Sequence, residues 1–124
     1  IVGGMGDPLE PAGLQTGSTL RFLARYAQAL TEQLPRAGRV KVLRQWAGCY
    51  DVTPDHSPIL GHTPGVSNLL QMSGFVGHGF MMAPAVAERM AAWMCTREPD
   101  ELFTRFNLSR FAEGRYERED MIIG

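Results

Sequence analysis

Apolar residues fall at Leu20, Leu23, Ala27, Leu30 and Leu34, three and four positions apart. That spacing predicts one amphipathic helix, started by Ser18 as N-cap and ended by Pro35. Its other face carries Arg21, Arg25, Gln28 and Glu32, a solvated surface. Over residues 39–50 the period changes. Val40, Val42 and Trp46 alternate with Lys41 and Gln45, which predicts a strand, although Arg44 breaks the pattern. Ile1–Gly4 also reads as the end of a strand, and Met5–Gly17 as a loop. Asp51–Asp55 is a turn around Thr53-Pro54. Ser57–Gly61 and Leu69–Ser73 are short extended segments, and a second helix is expected from about Ala83 to Cys95, with Val86, Met90, Trp93 and Met94 on one face. Beyond Arg97 the apolar pattern dissolves into scattered aromatics, Phe103, Phe106 and Phe111, and a charged end over residues 115–120.

Composition narrows the class. The 124 residues, 44% hydrophobic and 20% charged, suit one ordinary domain and exclude a disordered chain. A net charge of -1 offers no global basic surface for nucleic acid or anionic lipid, and no apolar run approaches the roughly 18 residues of a transmembrane segment. Two cysteines, Cys49 and Cys95, lack the spacing of a disulfide framework, a zinc site or a redox pair, so reduced thiols and a cytoplasmic setting are expected. The chain opens at Ile1 and reads as a piece of something longer.

Candidate chemistry concentrates in Gly74-Phe75-Val76-Gly77-His78-Gly79-Phe80, between the second extended segment and the second helix. A strand, a glycine turn and a helix together can aim unpaired backbone amides at an anion or a polarised oxygen. The glycine spacing is neither that of a dinucleotide fingerprint nor that of a P-loop, so a plain tight turn is the other reading. His78 is open to a structural or a catalytic role. His56 and His62 sit in polar turns without carboxylates at ligand spacing. Asp51 and Asp55 read either as paired acids or as turn residues accepting local backbone bonds.

Arg44-Gln45-Trp46-Ala47-Gly48-Cys49-Tyr50-Asp51-Val52-Thr53-Pro54-Asp55, then Ser57-Pro58-Ile59-Leu60-Gly61, then Gly74 through Pro84 resemble the C-terminal third of the flavin-dependent amine and amino-acid oxidoreductases. This is the superfamily of D-amino acid oxidase, glycine oxidase and sarcosine oxidase. The beta subunit of heterotetrameric sarcosine oxidase and the dye-linked proline dehydrogenases look most similar. The resemblance implies an α+β fold: part of a mixed-sheet substrate domain (1–73), the glycine turn and helix of an FAD-binding domain (74–96), and a C-terminal tail (97–124). It implies FAD as cofactor, an amine or amino acid such as sarcosine, glycine or a proline-like compound as substrate, and hydride transfer to the flavin. Gly77, His78, Gly79, Phe80 and Met81 then become flavin-binding positions. His78 becomes a polar contact or proton relay, and Tyr50 and Met81 become substrate-binding.

Three departures qualify this carry-over. Tyr50 stands where glycine oxidase-like members place a carboxylate-binding Arg, and Met81 where monomeric sarcosine oxidases place a Lys. Cys49 lies one residue from the position of their flavin-linking cysteine, so it is expected to be a packed thiol. The family's dinucleotide fingerprint is missing from this chain. The remaining N-terminal part of the same enzyme, or partner subunits, would have to supply it, and the chain alone would be inactive. A non-catalytic scaffold or interaction module built on the same fold is the alternative.

Overall fold

The computed structural model describes residues 2–4, 6, 11–98 and 100–118. It forms two compact units, Ile1–Cys49 and Tyr50–Gly124.

The first unit is built on α1, Leu20–Gln33. Its N-cap is Thr19, not Ser18: the Thr19 hydroxyl accepts from the Phe22 amide at 3.1 Å. Thr19 has the extended backbone that a cap needs, which is why the helix starts one residue late. Pro35 ends α1 as expected and opens a short 3-10 turn, Pro35–Arg39. Phe22 stacks on Tyr26, with ring centroids 5.8 Å apart, and the Tyr26 hydroxyl donates to the Gly3 carbonyl at 3.0 Å. The expected apolar stripe is only partly covered. Leu23 and Leu30 are half-buried, while Leu20 and Leu34 are exposed.

The strand expected over residues 39–50 is not formed, nor is one over residues 2–4. Residues 40–50 have no ladder partner among the described residues, so Val40, Val42, Leu43 and Trp46 remain exposed. Alternation can prepare a strand, but only a neighbouring strand makes one. One side-chain tie holds this segment, from Gln45 Nε2 to the Thr19 carbonyl at 3.2 Å. Cys49 is likewise exposed rather than packed, its Sγ lying 3.5 Å from the Gly13 carbonyl oxygen. Of the expected Met5–Gly17 loop, residues 5 and 7–10 lie outside the described residues, as do residues 119 and 120 of the charged end.

The second unit carries the core. Strands β1 (Ile59–His62) and β2 (Leu70–Ser73) pair antiparallel, Ile59 opposite Ser73 and His62 opposite Leu70. Helix α2 runs Gly79–Thr96, four residues earlier than expected. Proline favours a first helical turn, yet Pro84 lies inside this helix, where it cannot make the amide bond back to the Phe80 carbonyl. Leu60 from β1, Val86 and Met90 from α2, and Phe103 are buried together. Each contributes about 1.5–3 kcal/mol of apolar burial.

Phe103 belongs to α3, Glu101–Arg105, capped by the Asp100 carboxylate, which accepts from the Leu102 amide at 2.7 Å. Phe103 stacks on Trp93 at 4.9 Å, and His62 meets the same indole edge-on at 5.0 Å. The Leu60 amide donates to the Phe106 carbonyl at 2.9 Å, tying β1 to the end of α3. A last short helix, α4, spans Ser109–Ala112. The region after Arg97, patternless in sequence, therefore supplies a wall of the core.

Candidate functional site

The glycine turn is shaped by backbone that side chains resist. Gly74 has φ 71°, Val76 φ 49° and Gly77 φ 89°. The His78 amide bonds the Phe75 carbonyl at 2.8 Å, closing a tight turn with Val76 and Gly77 at its centre. A β-branched residue at positive φ is strained by about 1–3 kcal/mol. Full burial of Val76 holds it there.

This turn delivers the chain into α2 with His78 as N-cap. The amides of Met81 and Met82 both bond the His78 carbonyl, at 3.1 and 3.0 Å. Those of Gly79 and Phe80 have no partner among the described residues. The first turn of this 18-residue helix holds no acid, so its partial positive charge is not cancelled locally. The arrangement suits an electron-rich oxygen or nitrogen at the edge of a ligand.

Around these amides the surface is apolar. Phe80 is 98% exposed, and Met81 and Met82 are exposed beside it. The half-buried His78 imidazole makes no helix-capping bond. Gly77, His78, Gly79, Phe80 and Met81 thus share one helix start, with charge-stabilising amides, an imidazole and adaptable thioether next to one another.

Tyr50 is exposed, at the first residue of the second unit. Its neighbour Asp51 reaches the glycine turn: the Asp51 carboxylate accepts from the Gly74 amide, 23 residues away in sequence. Of the two readings left open for Asp51, backbone acceptance is the one realised, over a distance that turn chemistry does not anticipate. Thr53 completes the support. Its hydroxyl donates to the Ser57 carbonyl at 2.8 Å, and its methyl lies where a Cβ on Gly74 would stand.

Asp55 belongs to a different cluster, which the sequence reading missed. Arg110 is 1% exposed and Asp55 2%. Arg110 Nε and Nη2 donate to the two Asp55 carboxylate oxygens at 2.7 and 2.9 Å. Nη2 also donates to the Ser57 carbonyl, and Nη1 to those of Phe106 and Asn107. The guanidinium lies 4.1 Å from the Phe111 ring centroid. One arginine in an aromatic-rich tail was the only signal in sequence, and it gave no indication of its partner.

Burial alone would push the Asp55 carboxyl up. The hydrogen bond from Arg110, the Ser57 amide and the Arg110 charge outweigh burial and hold it below its ordinary value of 3.8. A carboxyl depressed in the folded state adds stability above its unfolded pKa and loses it as pH falls through the folded value. Urea unfolding of this protein against its Asp55→Asn variant should therefore show a stability gap that is constant from pH 7 to about 4 and closes below that. A gap unchanged at pH 2 would contradict the ion pair.

Residues 1–93 match the family described as FAD dependent oxidoreductase. Among curated proteins, the chain is 37% identical to sarcosine oxidase subunit beta of Rhodobacter capsulatus over 97 residues, covering 78% of this chain and 23% of that protein. It is 40% identical to N-methyl-L-tryptophan oxidase of Salmonella arizonae over 68 residues, covering 54% of this chain and 18% of that one. Among solved structures, the L-proline dehydrogenase of P. horikoshii superposes with a TM-score of 0.76 at 32% identity, covering 92% of this chain and 30% of that one. The chain thus spans about a quarter of the length of the relatives it matches.

Proposed function

The chain belongs to the family of FAD-dependent oxidoreductases, and on that basis we propose that it forms one wall of the flavin site in an enzyme that oxidises an amine or amino acid. The observation that carries this reading is the helix start: two partnerless amides, Gly79 and Phe80, at the head of an 18-residue helix with no acid in its first turn. These residues fit a flavin, whose ring has an electron-rich polar edge and broad apolar faces. A bound FAD would supply the hydride-transfer chemistry for oxidising the amine.

The chain's own residues orient and stabilise. The Gly79 and Phe80 amides would help to hold the flavin and would favour negative charge developing on it. The His78 imidazole, adjacent to them, makes a polar contact or relays a proton. The Tyr50 hydroxyl can donate one hydrogen bond to a substrate carboxylate but brings no charge. Met81 and Met82 form a deformable apolar wall that excludes water.

The chain has no Gly-x-Gly-x-x-Gly run, so the pyrophosphate would be held by another part of the same enzyme or by a partner subunit. In that arrangement residues 1–73 belong to a substrate domain, residues 74–96 to an FAD-binding domain and residues 97–124 to a tail. The free thiols Cys49 and Cys95 suit a cytoplasmic enzyme.

The names of the relatives refine the substrate. Sarcosine, proline and N-methyltryptophan are all α-amino acids whose nitrogen is a secondary amine. That class is the reading favoured here over glycine. Visible absorption of the whole enzyme is the test. A flavin spectrum that bleaches anaerobically with sarcosine, proline or N-methyltryptophan is expected. A colourless protein indifferent to FAD would favour the non-catalytic scaffold.

A sharper test is Phe80→Asp. An acid in the first turn of a helix stabilises it by about 0.3–1 kcal/mol, yet repels a ligand with developing negative charge. The variant should melt no lower than its parent while binding FAD about tenfold more weakly, by analogy with lost donors at charged sites. Unchanged FAD affinity would remove this helix start from the flavin site.

A further inference from the structure

The second unit holds a cavity of about 590 Å³ whose lining includes none of the buried core cluster Leu60, Val86, Met90 and Phe103. Four arginines line it, Arg105, Arg110, Arg115 and Arg118, against two acids, Asp55 and Glu117. Asp55 and Arg110 cancel each other, and all of the Arg110 nitrogens are engaged in hydrogen bonds. Arg115 is tied through its Nε to Glu113, outside the lining. What remains is two arginines, Arg105 and Arg118, against one acid, Glu117. Neither guanidinium makes a hydrogen bond or ion pair among the described residues. Arg105 lies over the Phe106 ring, 5.3 Å from its centroid, which leaves its donors in the guanidinium plane available.

With both pairs set aside, the lining keeps a charge of about +1 in a chain whose net charge is -1. Cations gathered in a concave site with unused donors select oxyanions, because a guanidinium offers two parallel N–H bonds that match a carboxylate or phosphate edge. We propose that this cavity binds the oxyanion of a small molecule, a phosphate or a carboxylate group, through Arg105 and Arg118. Phe106 and Tyr116 supply the apolar part of its wall. The site uses none of the residues assigned to the flavin, so it stands or falls independently of that reading.

The test follows the arginine Nε–H resonances of the protein by NMR, at constant ionic strength, during titration with inorganic phosphate and separately with succinate. Saturable shifts of Arg105 and Arg118 are expected. A response to phosphate alone assigns a phosphate ligand, and one to succinate alone a carboxylate. The double variant Arg105→Gln/Arg118→Gln should weaken binding about tenfold or more. Neither side chain has a hydrogen-bond partner among the described residues, so its melting temperature should not change. No saturable shift with either anion, or binding in the double variant equal to that of the parent, would overturn the proposal.

Discussion

Replacing Arg110 by Met is expected to cost about 3–5 kcal/mol, the usual loss when one partner of a buried ion pair is removed. The change leaves the Asp55 carboxylate 2% exposed and without its counter-charge. It also strips donors from the carbonyls of Ser57, Phe106 and Asn107. Domains have about 5–15 kcal/mol in all, so the second unit would lose a large part of its stability. Trp93, stacked on Phe103 in the same unit, gives a fluorescence readout for urea unfolding. Arg110→Lys should recover only part of the loss, since an ammonium cannot reach four separate acceptors from one plane. The double variant Asp55→Leu/Arg110→Met should be more stable than Arg110→Met, because no charge is then left buried alone. A loss below about 1 kcal/mol for Arg110→Met would show the pair to be peripheral to stability.

The second large effect is expected at Gly74. A Cβ there would stand 2.5 Å from the Thr53 methyl, and the backbone sits at φ 71°. Gly74→Val combines both problems: about 1–2 kcal/mol for a left-handed L-residue and about 1–3 kcal/mol for overpacking. Thr53 cannot move aside freely, because its hydroxyl is bonded to the Ser57 carbonyl. The Gly74 amide is also the donor to Asp51, so the displaced turn would carry Gly77, His78 and the start of α2 with it. A drop in stability together with loss of the visible flavin spectrum is expected in the whole enzyme. Gly79→Ala is the contrasting control for stability alone, since Gly79 is itself assigned to the flavin. Its Cβ would meet Phe75 at an ordinary 3.5 Å, and the helix gains up to about 1 kcal/mol from the exchange. If the two variants were equally stable, the turn would not depend on Gly74 in the way its geometry requires.

Both effects arise from contacts of long sequence separation, and this is where sequence reading stops. Arg110 and Asp55 are 55 residues apart, and Gly74 and Asp51 are 23 apart. No periodicity connects such positions. The glycine turn was legible because its chemistry is local: glycines, a helix behind them, and amides without acids nearby. Helix α1 was legible for the same reason, to within one residue at its cap. The alternation over residues 39–50 forms no strand, because alternation records a preference for pairing and not the presence of a partner. The aromatics after Arg97 show no pattern in sequence, because two short helices have too few turns to show a period.

Taken by itself, the sequence determined the two long helices, the two strands of the hairpin, the candidate helix start and the resemblance to flavin-dependent amine oxidoreductases. Tertiary structure alone decided that Phe103 joins the core and that Asp51 anchors the glycine turn. It alone decided that Arg110 is the buried counter-charge of Asp55, and that Arg105 and Arg118 line one cavity without hydrogen-bond partners among the described residues. The division has one physical cause. Backbone propensity and capping act over a few residues and are written in spacing. Burial, charge pairing and cavities are set by which distant segments fold against each other.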